Sequence, residues 1–122
     1  MACWVWRIAF DVMIDDTIRK IEAQLESSES LPAGRRRELL ELLAQLKSEV
    51  GVLSQTHTDE ARSIAGFTQV STHEAMRETR NPQLLDLSLQ GLRSSVDGFE
   101  KTHPRLVQIV NSISNTLSNL GI

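Results

Sequence analysis

Large apolar residues recur along the chain at alternating intervals of four and three residues. This spacing places them on one face of an α-helix, because a helix turns once every 3.6 residues. It therefore predicts four amphipathic helices, each with a seam resembling that of a coiled coil. The seams are Ile14-Ile18-Ile21-Leu25, Leu39-Leu43-Leu46-Val50-Leu53, Leu85-Leu89-Leu92-Val96-Phe99 and Leu106-Val110-Ile113-Leu117-Leu120.

Turn and capping residues set the expected limits of these helices. Pro32 and Gly34 punctuate a turn that separates a first helix, Asp15 to Ser28, from a second helix, Arg35 to Gln55. Asn81-Pro82 is typical of a helix start, with Asn as N-cap and Pro at the first helical position. The helix that follows carries its seam to Phe99 and is expected to end or kink at His103-Pro104. The last helix is expected to end with Gly121 in a left-handed conformation and Ile122 folded back on the last turn.

The middle of the chain, Thr56 to Arg80, is more polar but has no proline, so we predict a further helix there. Its best stripe consists of small residues at heptad spacing, which would let another helix approach closely. The stripe is Ala61, Ala65, Thr68, Thr72, Ala75 or Met76, and Thr79. The larger Ile64, Phe67 and Val70 drift off this face.

The fold predicted from these patterns is all-α, an antiparallel helical bundle or a coiled-coil hairpin. Residues 13–122 would form a single helical domain. Isolated helices of this length are marginally stable in water, so the seams must be buried against each other or against a second chain. We therefore expect the architecture to be completed by self-association.

Residues 1–12 break this pattern. The rhythm of the first seam, continued backward, reaches Asp11, Arg7 and Trp4, of which two are charged. We interpret residues 1–12 as a non-native or disordered extension, with Met13 as the natural start. The alternatives are an ordered extension anchored by Trp4 and Trp6, or an anchor for a membrane or partner.

Composition and charge narrow the function classes. The net charge is -3, whereas a nucleic-acid-binding domain is usually basic, so no nucleic-acid partner is expected. The single cysteine, Cys3, cannot form an internal disulfide, which suits a reducing compartment such as the cytoplasm. No apolar run approaches the roughly 20 residues that span a bilayer.

The residues that could carry chemistry form no recognisable site. His57, His73 and His103 are too far apart in sequence for a helical zinc pair, and no phosphate loop or nucleophile elbow is present. We therefore expect no metal, no cofactor and no enzymatic activity. His103 at the kink is either a filler of the gap that Pro104 opens or a pH-sensitive group. The basic run Arg35-Arg36-Arg37 is either a solvated face, with Arg37 paired to Glu41, or an anion site.

The last helix is unusual because no charged residue occurs from Leu106 to Ile122. Steps of 100° place Gln108, Asn111, Asn115 and Asn119 opposite the apolar seam. Amides can hydrogen-bond across an interface without the desolvation cost of charges, so we predict that this face is covered by another helix in an oligomer. A solvated face is the alternative. The interface candidates are Asn111, Asn115, Asn119, Leu92, Phe99, Leu106, Ile113 and Leu117.

Several short motifs resemble a bacterial family called domain of unknown function 4404. They are Phe99-Glu100, His103-Pro104-Arg105-Leu106, the seam that ends in Leu117 and Leu120-Gly121-Ile122, and the runs Asn81-Pro82 and Leu84-Leu85-Asp86. The resemblance covers Met13 to Ile122 and leaves out the first twelve residues. It implies a small bacterial protein and no particular mechanism.

Together these features favour a structural or protein-interaction role, with a homo-oligomer or another protein as partner. The alternative is a peripheral membrane or lipid-surface protein that uses residues 1–12 and its amphipathic helices. The last helix counts against that alternative, because it has no Lys or Arg after Arg105.

Overall fold

The computed structural model describes the backbone of residues 2–29 and 31–120, and the side chains of residues 14–29 and 31–120. These residues form helices and turns, with no strand among them, which confirms the predicted all-α class. The helices are α1 (Ala2–Ser27), α2 (Ala33–Leu53), α3 (Thr58–Ala75), α4 (Pro82–Ser94) and α5 (Pro104–Leu120).

The first two helices form an antiparallel hairpin closed by the turn that contains Pro32. Their predicted seams, from Ile14 to Leu25 and from Leu39 to Leu53, are buried as expected. An ion pair between Lys47 Nζ and Asp15 Oδ1, at 3.1 Å, joins the two helices near the far end of the hairpin. The backbone of α1 begins at Ala2 rather than near Asp15. The origin of residues 1–12 stays a prediction, and the side chains of Trp4 and Trp6 lie outside the described residues.

Helix α3 occupies the centre of the bundle and packs against α1, α2, α4 and α5. The predicted stripe of small residues from Ala61 to Ala75 is buried, and Ile64 is buried beside it. Two buried threonines satisfy their hydroxyls within the helix: Thr68 Oγ1 donates to the Ile64 carbonyl and Thr72 Oγ1 to the Thr68 carbonyl. The helix ends at Ala75. The sequence pattern predicts its end five residues later, at Arg80.

Helix α4 begins as predicted. The Asn81 side chain accepts hydrogen bonds from the backbone amides of Gln83 and Leu84, at 3.1 and 3.2 Å, and Pro82 is the first helical residue. The expectation that this helix continues to His103 is wrong, because it ends at Ser94 and a series of turns follows. Gly98 lies in these turns with φ of 93°, a left-handed conformation that a helix cannot contain and that glycine adopts without strain.

Helix α5 returns antiparallel to α2. Arg105 Nε lies 3.6 Å from Glu49 Oε1 near one end of the pair, and Thr116 Oγ1 lies 3.4 Å from Glu38 Oε1 near the other. The predicted cap at Gly121 and Ile122 lies outside the described residues.

Among the described side chains, the seams of α1 to α5 meet in one apolar core within the single chain. Of the two predicted architectures, the antiparallel bundle is therefore the one that is confirmed. The hairpin of α1 and α2 packs against α3 and α5, and α4 packs against α3 and α5 in turn. A second chain is not required to bury the seams. Any contact with another protein must instead use side chains that the bundle leaves outside.

Candidate functional site

The apolar interface candidates lie inside the bundle. Leu92, Leu106, Ile113 and Leu117 are each at most 1% exposed, and they contact other helices of the same chain. Their four-three spacing correctly identified a buried face. The partner of that face is this chain's own core, so these leucines and isoleucine are not available on the surface.

The amide residues of α5 lie outside. Gln108, Asn111, Asn115 and Asn119 are all exposed, on the face opposite the buried seam. We call them the α5 amide face. It lies on a helix with no charged side chain after Arg105. Within one chain this face is open to solvent, and it can donate and accept hydrogen bonds at every amide.

Phe99 is half-buried and joins two of the histidines in a cluster. Its ring centroid lies 5.3 Å from that of His57 and 5.6 Å from that of His103, with edge-to-face geometry in both cases. The two histidine rings are 6.4 Å apart, also edge to face. This ring cluster connects the turn between α2 and α3 with the turns between α4 and α5.

The hydrogen bonds of the two histidines are local. His57 Nδ1 lies 2.8 Å from Thr56 Oγ1, and His103 Nδ1 lies 3.0 Å from Thr102 Oγ1. The His103 ring packs on Phe99, and both suggested roles of His103 beside Pro104 stay predictions. Sequence reasoning picked out Phe99 and His103 separately, but their meeting with His57 depends on how the loops are brought together.

An open cleft of about 450 Å³ adjoins the ring cluster. Its lining residues are His57, Glu60, Ser63, Ser94, Ser95, Asp97, Gly98 and Phe99. Within the described side chains, no group of three His, Cys, Asp or Glu residues is placed to hold a metal ion. His73 lies elsewhere, exposed on α3, with Nε2 at 3.9 Å from Glu74 Oε2. The three histidines therefore do not converge on one site.

The three arginines of the basic run, Arg35 to Arg37, differ in their contacts. Arg35 pairs with Glu38 across 3.3 Å on the helix surface. Arg36 reaches back to the turn before α2 and donates hydrogen bonds to the carbonyls of Ser28 and Leu31. The central arginine of the run therefore holds the α1–α2 turn. The expected pair of Arg37 with Glu41 is not among the ion pairs of the described residues.

A second surface was missed by the seam analysis. Phe67 and Val70 of α3 and Leu84 and Leu87 of α4 are large apolar residues that remain between 39% and 53% exposed. We call these four residues the α3–α4 apolar patch. The signal was present in the sequence, because Phe67 and Val70 drift off the small-residue stripe and Leu84 and Leu87 are not part of the α4 seam.

The Phe67 ring of α3 lies on Gly91 of α4, so it connects the two helices that carry the patch. A Cβ atom built on Gly91 would clash with Phe67 Cε1 and would lie 2.6 Å from Phe67 Cδ1. The ring therefore occupies the space that any other residue at position 91 would fill. Leu87 lies one turn from Gly91 on the same side of α4, so it extends the surface that Phe67 begins.

The described residues define a small bundle of five helices whose candidate contact surfaces lie on its outside. In the described part of the chain, no helix is both long and apolar enough to cross a bilayer. The sequence model of the family described as Domain of unknown function (DUF4404) matches residues 14–122, and the chain belongs to that family. The predicted resemblance is thus confirmed. Comparison with the curated proteins gives no match, and comparison with the solved structures gives none either.

Proposed function

We propose that this chain is a non-enzymatic structural or protein-interaction protein of the cytoplasm that associates with copies of itself. The observation that carries the proposal is the α3–α4 apolar patch. The chain has already buried its helical seams, yet it leaves four large apolar side chains exposed on two helices that pack together. Exposed apolar side chains on adjacent helices are candidates for a contact site with another protein.

The α5 amide face supports the same proposal from a different chemistry. Side-chain amides can pair with groups of a partner at low desolvation cost, whereas buried charges need compensation. A face without charges, in a protein in which 24% of residues are charged, is compatible with a protein contact. It does not resemble a nucleic-acid surface, which would carry Lys or Arg to meet phosphates.

The alternative, attachment to a lipid surface, depends on residues 1–12, whose side chains lie outside those described. Amphipathic helices that lie on membranes usually carry Lys or Arg along the border of the apolar face. The uncharged face of α5 has no such border of Lys or Arg. No structural observation favours this alternative, and vesicle flotation tests it directly.

The experiment that tests the proposal is the molar mass of the intact chain, measured by multi-angle light scattering over a hundredfold range of concentration. Self-association predicts a rise from the 13.7 kDa of one chain to at least twice that value. A mass of one chain at every concentration would refute self-association. Flotation of that monomer with anionic vesicles would support the lipid-surface alternative instead.

A further inference from the structure

A cleft opens at one end of the bundle, where the α1–α2 turn, the end of α3 and the last turn of α5 meet. Its volume is about 360 Å³, which lies within the range of small-ligand sites, about 300–1,000 Å³. Among the described residues, none of the ring cluster or of the α3–α4 apolar patch lines it. The cleft is therefore distinct from the surfaces on which the proposed function rests.

One wall of the cleft is apolar and continuous with the core. Leu31 and Ala75 line it and are core residues, 7% and 0% exposed. Met76 and Leu120 also line it, and they are partly buried against the same core. An apolar chain placed in the cleft would lie along the edge of the core and lose contact with water, which favours binding.

Arg80 lines the cleft and is held in place by the end of α3. Its Nε donates a hydrogen bond to the Ala75 carbonyl at 3.0 Å. That carbonyl lies in the last turn of α3, where carbonyls have no partner within the helix. The bond uses one of the five N–H donors of the guanidinium group. No carboxylate of the described residues forms an ion pair with Arg80, so its two terminal nitrogens keep their donors for an anion.

Arg35 supplies a second guanidinium group to the cleft. Its pair with Glu38, at 3.3 Å, is open to solvent, since 44% and 48% of the two side chains are exposed. Exposed pairs contribute little to stability, so another anion can compete for Arg35. Among the described residues, no carboxylate lines the cleft itself. The two arginines and Glu38 together leave one positive charge without a partner, which matches a ligand with one negative charge.

The remaining groups around the cleft do not reverse this preference for an anion. Ser28 and Asn119, the other polar residues on the lining, are uncharged. Glu29 and Glu78 are exposed on the adjoining turns and do not line the cleft, so solvent and salt screen them. The start of α2 and the ends of α3 and α5 meet here, so helix dipoles of both signs oppose each other. The preference for an anion therefore rests on the two arginines of the lining.

We infer that this cleft binds a monocarboxylate that carries an apolar chain, such as a medium-chain fatty acid. The carboxylate accepts hydrogen bonds from Arg80 and Arg35, and the chain lies along the apolar wall. A planar carboxylate fits a guanidinium group with two parallel hydrogen bonds. A phosphate dianion fits less well, because the apolar wall offers no donors to its oxygens and only one positive charge lacks a partner.

The test is a titration of the full-length, ¹⁵N-labelled chain, followed by backbone amide shifts, with octanoate as the probe. Acetate carries the charge without the chain, and octanamide carries the chain without the charge. Octanoate should give saturable shifts at Leu31, Arg35, Met76 and Leu120. Affinity should rise from acetate to octanoate by up to about fourfold for each added CH₂ group. Octanamide should bind at least about tenfold more weakly than octanoate, because it cannot form charge-assisted hydrogen bonds.

Substitutions of the arginines test the two hydrogen-bonding partners separately. Arg80→Ala should raise the dissociation constant of octanoate at least about tenfold. Arg80→Lys keeps the charge but loses the planar pair of donors, so its effect should be intermediate. Arg35→Ala should raise the constant by about three- to tenfold, because Glu38 competes for this arginine. Arg37→Ala is the matched control, since Arg37 is exposed on the same helix and lines a different groove, and its effect should stay within about twofold.

The inference is overturned if octanoate gives no saturable shift, or if acetate or octanamide binds as tightly as octanoate. Shifts confined to the α3–α4 apolar patch would also overturn it. If Arg80→Ala and Arg35→Ala both bind octanoate as well as the parent does, then Arg80 only caps α3 and the inference is wrong. The octanamide comparison and Arg35→Ala decide the matter even if Arg80→Ala does not fold. A monomeric chain would refute the proposed self-association and leave this result unchanged, so the two failures are distinguishable.

Discussion

Replacement of Gly91 by alanine has two opposing effects of similar size on the free energy of unfolding. Alanine in place of glycine inside a helix favours folding by about 0.5–1 kcal/mol, because the glycine backbone loses more freedom. The new methyl group, however, would clash with Phe67 Cε1 and must displace the ring. Phe67 is 39% exposed, so about three fifths of its side chain is covered. Since full burial of such a side chain contributes about 1.5–3 kcal/mol, its displacement costs about 1–2 kcal/mol.

The expected outcome is therefore a loss of up to about 1.5 kcal/mol in the free energy of unfolding for Gly91→Ala. In a Phe67→Ala background there is no ring to displace, and the same substitution should then stabilise by about 0.5–1 kcal/mol. Urea unfolding of the four chains, followed by circular dichroism, gives the coupling energy of this double-mutant cycle. All four must be measured at one protein concentration, because dimer formation would add to the apparent stability.

Gly66→Ala on α3 is the matched control for the glycine effect alone. It lies in mid-helix, and a Cβ atom there meets nothing within 4 Å. This variant should be stabilised in both backgrounds by the same amount. If Gly91→Ala behaves like Gly66→Ala whether or not Phe67 is present, then the ring does not rest on α4 and the described register of α3 and α4 is wrong.

Further predictions concern the core, the N-terminal segment and one buried hydroxyl. Leu92→Ala and Ile113→Ala should each destabilise by about 2–5 kcal/mol in urea unfolding, since both side chains are at most 1% exposed; effects below about 0.5 kcal/mol would contradict their placement. Deletion of residues 1–12 should cost less than about 2 kcal/mol in thermal unfolding, the scale of burying one large side chain. Ser114→Ala should stabilise by about 1 kcal/mol more than the exposed Ser112→Ala, because Ser114 Oγ is buried without a hydrogen-bond partner; equal effects would indicate that the hydroxyl is satisfied.

Much of the fold could be predicted because helix seams and caps are local properties of the sequence. The Asn81-Pro82 start of α4 needs only its own turn, and the seam of α5 needs only its 3.6-residue period. The early start of α1 was missed for a physical reason. An apolar seam reports where another helix packs, whereas helix formation depends on backbone hydrogen bonds that can continue beyond the packed region.

The candidate surfaces were less predictable because they depend on contacts between distant segments. His57 and His103 come together only when two separate loops meet at Phe99. The end of α4 at Ser94 was missed because the apolar spacing continues through Val96 and Phe99 even though Gly98 turns the backbone. Both residues still pack inward from a turn, so a periodic pattern persisted where the helix did not.

The central position of α3 has a consequence for how the protein opens. Helices α1, α2, α4 and α5 each pack against α3. None of these helices can therefore detach without exposing part of the stripe of small residues on α3. That stripe, from Ala61 to Ala75, buries little area by itself. Helix α3 is therefore not expected to remain helical once the neighbouring helices have detached. Amide hydrogens in the middle of α3 should then exchange with solvent only through global unfolding, and the bundle should behave as a single cooperative unit.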